Sequence, residues 1–237
     1  MSRRATSSIR VDDSLVLRPA TLDYSSELLE AFEETWPEVS RAMPWVNPDI
    51  SFSEQIDSFL QETEKMGRSG LMHHWVMIRP WDNELLGLIG FDHVTRTTQA
   101  EWNLGYWVRS SAQRHGLAKK SINATLKWLG AIGEITVELK VDPLNLAGQK
   151  TVLQTVNNWN GERCVSGDSA VTVAGIRTLH HCHLVKTTPK LCENFSRRFK
   201  RPNILANLPL RGSVVKWLVL IIIRGCPTLT PKKQMNG

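Results

Sequence analysis

Cysteine is scarce in this sequence, and its placement argues against a fold that depends on disulfide bonds. The 237 residues include four cysteines, all in the last third of the chain and at no regular spacing. Small secreted proteins that need disulfides carry cysteine at much higher density. We therefore expect no disulfide framework, a reducing compartment and a cytoplasmic location.

Long apolar runs are missing as well. The stretch "VVKWLVLIII" at 214–223 contains Lys216 and is shorter than the ~20 apolar residues that a membrane-spanning helix needs. The first residues, "MSRRATSSIRVDD", lack the apolar centre of a signal peptide. The sequence thus predicts neither a transmembrane segment nor secretion.

Acidic residues are almost absent from residues 188–237. This segment holds ten Lys or Arg residues and a single acid, Glu193, so it carries +9, whereas the whole chain carries +6 and residues 1–187 carry −3. Such a basic tail can associate with RNA or a ribosome through phosphate groups. An extension without a selected function has the same composition, and we expect low order there.

The remainder of the chain shows alternating strand and helix periodicities in the order β-α-α-β-β-β-α-β-α-β-β, which is typical of a mixed α/β layer fold. Predicted strands cover 14–21, 73–80, 84–94, 100–110 and 134–143, with a closing hairpin made by "SAVTVAG" and "HHCHLVKTT"; predicted helices cover 22–36, 51–67, 116–131 and 145–156. We divide the chain into a polar lead (1–13), one domain (14–187) and the basic extension (188–237).

The segment "SSAQRHGLAKKS" at 110–121 has the composition of an anion-binding turn. Gly116 precedes a predicted helix, whose first N–H groups have no partner within the helix and face the positive end of its dipole. Arg114, Lys119 and Lys120 add positive charge nearby. A solvated basic turn explains the same residues, so the position of this turn in the whole pattern has to decide.

Several motifs in order resemble one known family. Gln113-x-x-Gly116-x-Ala118 is similar to the acetyl-CoA-binding motif of the GNAT superfamily of N-acetyltransferases. "LVLRPAT", "MPWV", "ELLGLIGF" and "LGYWVRSSAQRHGLA" resemble the branch that acetylates the N-termini of ribosomal proteins. The resemblance runs from about Leu15 to about Thr187 and is most specific over 84–145.

The resemblance implies a mostly antiparallel, splayed sheet flanked by helices, with a slot for acetyl-CoA between the strands at 100–110 and 134–142. It implies an acetyl transfer from acetyl-CoA to a primary amine, most readily a protein N-terminus, in a protein that is a monomer or a homodimer. The implied cofactor-binding residues are the main chain of Trp107, Val108 and Arg109, the loop residues Gln113, Arg114, His115, Gly116, Leu117, Ala118 and Lys119, and Asn145.

Glu101 is the candidate catalytic residue. It opens the strand that leads to the cofactor loop, and in the resembling branch an acid at this strand start can take the proton of the amine. A solvated residue at the rim of the sheet is the alternative. His73, His74 and His93 also flank strands, and because neighbouring residues of a strand face opposite sides, at most one of the first two can face the slot.

Two departures from the family pattern weaken the case for catalysis. Gly148 stands where the family often has a serine that assists the leaving thiolate, and "NNWNGE" at 157–162 replaces the usual Gly-Phe. The two tyrosines, Tyr24 and Tyr106, offer no obvious substitute. A non-catalytic acyl-CoA-binding module with an RNA- or ribosome-associating tail is therefore the alternative function.

Two further clusters of side chains remain. Aromatic and acidic residues between the first two helices can receive a protonated amine; they are Glu33, Glu34, Trp36, Glu38, Met43, Trp45 and Asp49. The histidines and cysteines near the end of the domain suggest zinc but follow no recognised ligand spacing, so we expect no metal; they are Cys164, His180, His181, Cys182, His183 and Cys192.

Overall fold

The computed structural model describes residues 4–36, 49–94, 99–165, 168–173 and 176–187. Its strands are β1 (Ile9–Asp12), β2 (Leu15–Pro19), β3 (Met72–Ile78), β4 (Leu85–His93), β5 (Trp102–Val108), β6 (Thr136–Val141), β7 (Glu162–Arg163), β8 (Ser169–Val173) and β9 (Ile176–Lys186). Its α-helices are α1 (Ser25–Glu34), α2 (Phe52–Ser69), α3 (Leu117–Gly130) and α4 (Leu146–Asn158).

The strands form one mixed sheet in the order β1-β2-β3-β4-β5-β6-β9-β7, with β8 paired to β9. Every pair is antiparallel except β5–β6. The predicted hairpin is present, because β8 and β9 pair from Ser169↔His180 to Val173↔Ile176. The predicted fold class, a mixed and mostly antiparallel sheet flanked by helices, is confirmed, while the predicted irregular extension at 188–237 lies outside the described residues.

The start of the chain contributes a strand that the periodicity did not indicate. β1 pairs with β2, and the segment before it is held by two indole N–H donors: Trp75 Nε1 donates to the carbonyl of Ser7 (2.8 Å) and Trp128 Nε1 to its hydroxyl (3.0 Å). A strand of four residues with one apolar pair is too short to show alternation above background. The segment before it is held by residues more than 60 positions away.

Local signals explain where the helices begin and end. Ser51 caps α2 by accepting a hydrogen bond from the N–H of Glu54 (3.2 Å). The helix ends at Ser69, two residues later than predicted, and is followed by Gly70, whose φ of 68° suits a left-handed C-cap. Asn145 caps α4 in the same manner, through the N–H of Gly148 (2.6 Å). Side-chain caps therefore satisfy the first turns of both helices.

Two apolar cores lie on the two faces of the sheet. One core packs α3 and α4 against Trp75, Phe91 and Leu104, and the other packs α1 and α2 against Val76, Ile78 and Trp107. Alternate residues of each strand serve opposite faces. β5 therefore contributes side chains to both cores, and this packing fixes the strand that borders the predicted slot.

Our expectation about the cysteines was wrong for one pair. Cys164 and Cys182 form a disulfide across 18 residues of sequence, with their Cα atoms 5.3 Å apart. The pairing arises because β7 lies against β9, so that the N–H of Cys164 donates to the carbonyl of Cys182 (2.9 Å). Spacing in the sequence carries no information about a contact that strand pairing creates.

Within the described ranges, no helix is both long and apolar enough to cross a membrane.

Candidate active site

The sheet splays between β5 and β6. These parallel strands pair only at Trp102↔Val137 and Asn103↔Glu138, whereas β5 pairs with β4 along its whole length as far as Val108. From Leu104 onward the edge of β5 that faces β6 therefore forms no ladder with it. An open strand edge offers amide and carbonyl groups to an extended ligand, which is what the arm of an acyl-CoA requires.

The loop after β5 ends at an uncapped helix. Gly116 precedes α3 with a φ of 73°, and no described side chain caps the helix, in contrast to α2 and α4. Arg114 also has a positive φ, 69°, and both residues are exposed together with His115. An exposed turn at a helix start, beside an arginine, is the arrangement that the predicted anion site requires, and the binding of an anion there stays a prediction.

The remaining loop residues are held by local contacts. The side-chain amide of Gln113 donates to the carbonyl of Val108 (3.2 Å), which ties the loop to the end of β5. His115 Nδ1 lies 3.3 Å from the carbonyl of Ala112. Leu117, the first residue of α3, is buried in the core that α3 shares with the sheet. Ala118 is half-buried, and Lys119 is exposed.

Lys120 does not add charge to the loop as the sequence suggested. Its ammonium group is turned toward the first hairpin and forms an ion pair with Asp12 (Nζ to Oδ2, 2.7 Å). The hydrogen bond from Lys120, together with one from Ser14, lowers the pKa of Asp12 to about 2. The cations near the exposed turn are therefore Arg114 and Lys119.

The side chain of Arg109 joins two elements of the fold. The guanidinium is buried and bonds to Glu34 Oε2 through Nε (2.7 Å), to Glu30 (3.1 Å) and to the carbonyl of Leu85 (3.1 Å). Burial alone raises the pKa of Glu34, but hydrogen bonds from the Ser111 N–H and from Arg109 outweigh it and lower that pKa. Arg109 thus fastens α1 to the end of β5, and Glu34 is not available to an acceptor amine.

Asn145 and Gly148 belong to the same cap. The side-chain oxygen of Asn145, which is fully buried, accepts the N–H of Gly148, so the predicted cofactor residue is the N-cap of α4. Gly148 is itself buried and offers no hydroxyl. The sequence showed the missing hydroxyl but not the burial of position 148.

Glu101 lies at the vertex of the splay, one residue before β5. Its N–H donates to the carbonyl of Thr136 (3.0 Å), and its carbonyl accepts the N–H of Val94 (2.9 Å), so its backbone joins the ends of β4 and β6. The residue is half-buried. The structure thus places Glu101 where β5 and β6 meet, and its role as a proton acceptor stays a prediction.

The histidines divide between the two faces as expected. His73 lies on the α3 face against Trp102 and Trp128, where burial lowers its pKa to about 4. His74 lies on the α2 face against Phe59. His93 is exposed at the end of β4 and packs against Trp102.

Tyr106 is a residue that sequence reasoning set aside. It lies on β5, where the strand edge is open, and its side chain is buried on the face that α3 and α4 cover. Burial raises the pKa of this hydroxyl, which stays protonated. The alternation of side chains along β5 could have indicated this position, because it places Tyr106 on the face of the sheet that α4 covers.

The region between the first two helices is only partly described. Trp36 is 44% exposed and packs edge-on against Phe52, with ring centroids 5.2 Å apart. Glu38, Met43 and Trp45 lie outside the described residues. The proposed aromatic and acidic receptor for the amine therefore stays a prediction.

The zinc site that the histidines and cysteines suggested, against our expectation of no metal, loses two of its candidate ligands. The sulfur atoms of Cys164 and Cys182 are bonded to each other and cannot act as thiolates. Over the ranges that the structure covers, no group of three His, Cys, Asp or Glu side chains is placed to hold a metal ion. Cys192 lies outside those ranges.

The sequence matches the model of one protein family. The model of the acetyltransferase (GNAT) domain matches residues 14–154, more than half of the chain. The chain belongs to the GNAT acetyltransferase family. The resemblance inferred from the motifs is thereby confirmed, and no curated protein matches the sequence significantly.

Solved structures of GNAT proteins share the fold. A ribosomal-protein alanine acetyltransferase of Vibrio fischeri superposes with a TM-score of 0.62 at 14% identity, covering 75% of this chain and 94% of its own. The Salmonella typhimurium acetyltransferase that modifies the N-terminal serine of a 50S ribosomal subunit protein gives 0.60 at 18% identity, covering 76% and 97%. A ribosomal α-N-protein acetyltransferase in complex with coenzyme A gives 0.57 at 17% identity, covering 76% and 96%.

Proposed function

We propose that this GNAT protein transfers an acetyl group from acetyl-CoA to a primary amine, with the α-amine of a protein as the acceptor. The observation that carries the proposal is the coincidence of an open β5 edge with an uncapped α3 at its end. A pyrophosphate held by the first-turn N–H groups of α3 leaves the rest of an acyl-CoA free to lie along β5. The structural neighbours that act on ribosomal proteins support the choice of acceptor.

Acetyl-CoA, when bound, supplies an acyl carbon that an amine can attack without a covalent enzyme intermediate. The amine nitrogen bonds to that carbon and the carbon–sulfur bond breaks, leaving the electron pair on sulfur. Glu101 takes the proton that the nitrogen loses, and water protonates the thiolate, because position 148 has no hydroxyl. Arg109 holds β5 and α1 in place around the reacting groups.

Thermal unfolding with and without acetyl-CoA tests the proposal directly. A ligand that binds only the folded protein at ~100 times its dissociation constant adds ~2.7 kcal/mol to the free energy of unfolding. We expect a clear rise in melting temperature with acetyl-CoA and a smaller one with adenosine alone. An unchanged melting temperature in a protein that unfolds cooperatively overturns the proposal.

We expect Gly116→Val to weaken acetyl-CoA binding about tenfold, because a branched side chain at positive φ costs ~1–2 kcal/mol. The added Cβ itself meets nothing within 4 Å, so the effect comes from the backbone of the turn and from the path of the phosphates. Isothermal titration with acetyl-CoA measures the change.

Gly133→Val is the matched control for this substitution. Gly133 also has a positive φ, 139°, with open space at its Cβ position, but it lies beyond the other end of α3. We expect its acetyl-CoA affinity to equal that of the unchanged protein. Equal affinities for all three proteins contradict the assignment of the loop.

The alternative is a non-catalytic acyl-CoA-binding module whose basic tail associates with RNA. The buried Gly148 is the observation that favours it. Acetyl-CoA binding without acetylation of any amine, together with salt-dependent RNA binding that a deletion of residues 188–237 abolishes, supports this module. Turnover of an amine removes it.

A cytoplasmic location is part of the proposal, and the Cys164–Cys182 disulfide counts against it, because reducing compartments keep most thiols reduced. Alkylation of the protein taken directly from cells, followed by mass spectrometry, determines the state of both cysteines. Two free thiols agree with the cytoplasm.

A further inference from the structure

Polar side chains cross the sheet in one row on the face that α2 covers. Asp92 of β4 pairs with Asn103 of β5, and Asn103 pairs with Glu138 of β6. Residues that are directly opposite in neighbouring strands share a face of the sheet, so these three side chains lie side by side. The row stands at the vertex of the splay, because Asn103↔Glu138 is the last pair before β5 and β6 separate.

Two oxygen atoms in this row have no hydrogen-bond donor. Asn103 is 4% exposed, and neither its Oδ1 nor the buried Oδ1 of Asp92 accepts a hydrogen bond from the described part of the chain. Buried polar atoms are nearly always paired, since an unpaired one loses its hydration without compensation. Both atoms are acceptors, so the group that completes the row must be a donor.

The charges around Asp92 favour a cation as that donor. Nε2 of His74 is 3.5 Å from Asp92 Oδ1, and the pKa of His74 is lowered to about 3 by burial, so this ring is neutral. Glu62 of α2 adds negative charge, and burial together with Glu62 raises the pKa of Asp92. Lys140 is occupied by Glu138, with Nζ and Oε1 2.7 Å apart.

The row lies where the slot closes, at the last pair of β5 and β6. The side chain of Asp92 keeps 16% of its surface exposed, although its neighbours are almost completely covered. The arm of an acyl-CoA whose phosphates lie at the loop after β5 would follow the open edge of this strand and end near the vertex, where Asn103 lies.

We propose that Asp92 and Asn103 form the subsite that binds the ammonium group of the acceptor amine. An ammonium carries three donors and a positive charge; it satisfies both oxygens and supplies the missing counter-charge of the carboxylate. The inference rests on the proposed function and deepens it. It assigns binding of the protonated amine to this pair. Glu101 takes the proton that the nitrogen must lose before it attacks, and water carries the second proton, lost after attack, to the thiolate.

This subsite makes capture of the amine depend on pH. Asp92 binds an ammonium as a carboxylate, so affinity increases as the pH rises through its raised pKa. The other titratable groups that face it are His74 and Glu62, and Glu138 with Lys140 lies across Asn103. His74 does not add to the change because it stays neutral above about pH 3.

Steady-state kinetics of the full chain test the subsite, with saturating acetyl-CoA and a hexapeptide that begins with serine and carries a free α-amine. Asp92→Asn and Asn103→Leu keep the size of each side chain and remove a charge or an oxygen. We expect each to raise KM for the peptide about ten- to hundredfold, the effect of losing a charge-assisted hydrogen bond, with the acetyl-CoA dissociation constant unchanged. Asp13→Asn, at an exposed aspartate, is the control.

A second readout does not need the acceptor. Because the Asn103 oxygen is buried without a donor, Asn103→Leu should leave the melting temperature of the ligand-free protein unchanged or raise it. A lower melting temperature with an unchanged KM shows a structural role and overturns the subsite. Failure of the unchanged protein to acetylate the peptide, although it binds acetyl-CoA, also overturns it; failure to bind acetyl-CoA overturns the proposed function instead.

Discussion

Glu101→Gln is expected to lower kcat for the serine hexapeptide by about 100-fold or more, because general-base catalysis contributes on the order of 10² to 10⁴. Glutamine keeps the size of the side chain and the two backbone hydrogen bonds at the vertex, to Thr136 and from Val94. The acetyl-CoA dissociation constant should stay within a factor of two. Rapid-quench measurement of acetyl-peptide formation gives the rate of the chemical step itself.

Glu134→Gln is the matched control for Glu101→Gln. Glu134 is exposed and lies two residues before β6, the strand that borders the slot on the side opposite β5. It should tolerate the change without loss of kcat. Equal kcat values for all three proteins remove Glu101 from the mechanism. A large rise in peptide KM with an unchanged kcat assigns Glu101 to binding instead, and the division of roles with Asp92 is then wrong.

Arg109→Met is expected to lower the free energy of unfolding by about 3 kcal/mol, at the lower end of the range for breaking a buried ion pair because Glu30 is 72% exposed. Methionine has a similar length but cannot donate to Glu34 Oε2 or to the carbonyl of Leu85, so both lose the guanidinium as a donor. For a chain of this size the melting temperature should fall by roughly 6–12 °C. Urea unfolding monitored by tryptophan fluorescence measures the change.

The pH dependence of this loss follows from Glu34. Its pKa is lowered in the folded protein, so its contribution is present above the ordinary value of 4.5 and disappears as the pH falls through the lowered pKa. The difference between Arg109→Met and the unchanged protein should therefore be largest near neutral pH and shrink in acid. Arg68→Met, in an exposed pair with Glu64, should cost less than about 1 kcal/mol at any pH. Equal losses for the two arginines contradict the role of Arg109.

Most of the secondary structure was predictable because its signals are local. Strict alternation in 134–143 predicted β6, the serine cap predicted the start of α2, and short polar connectors predicted the meander of β3, β4 and β5. β1 escaped prediction because it is only four residues long, and the segment before it is held by Trp75 and Trp128, far along the chain. The disulfide escaped for the same reason, since β9 alone brings Cys182 to Cys164.

The candidate site divides in the same way. The sequence by itself determined the family and the glycine turn before α3 that is proposed to bind an anion, because a turn, a helix start and their charges occupy a dozen consecutive residues. Only the tertiary structure decided that Lys120 faces Asp12, that Asn145 caps α4, and that Arg109 fastens α1. The row of Asp92, Asn103 and Glu138 likewise exists only through strand register, which no property of the three separate segments reveals.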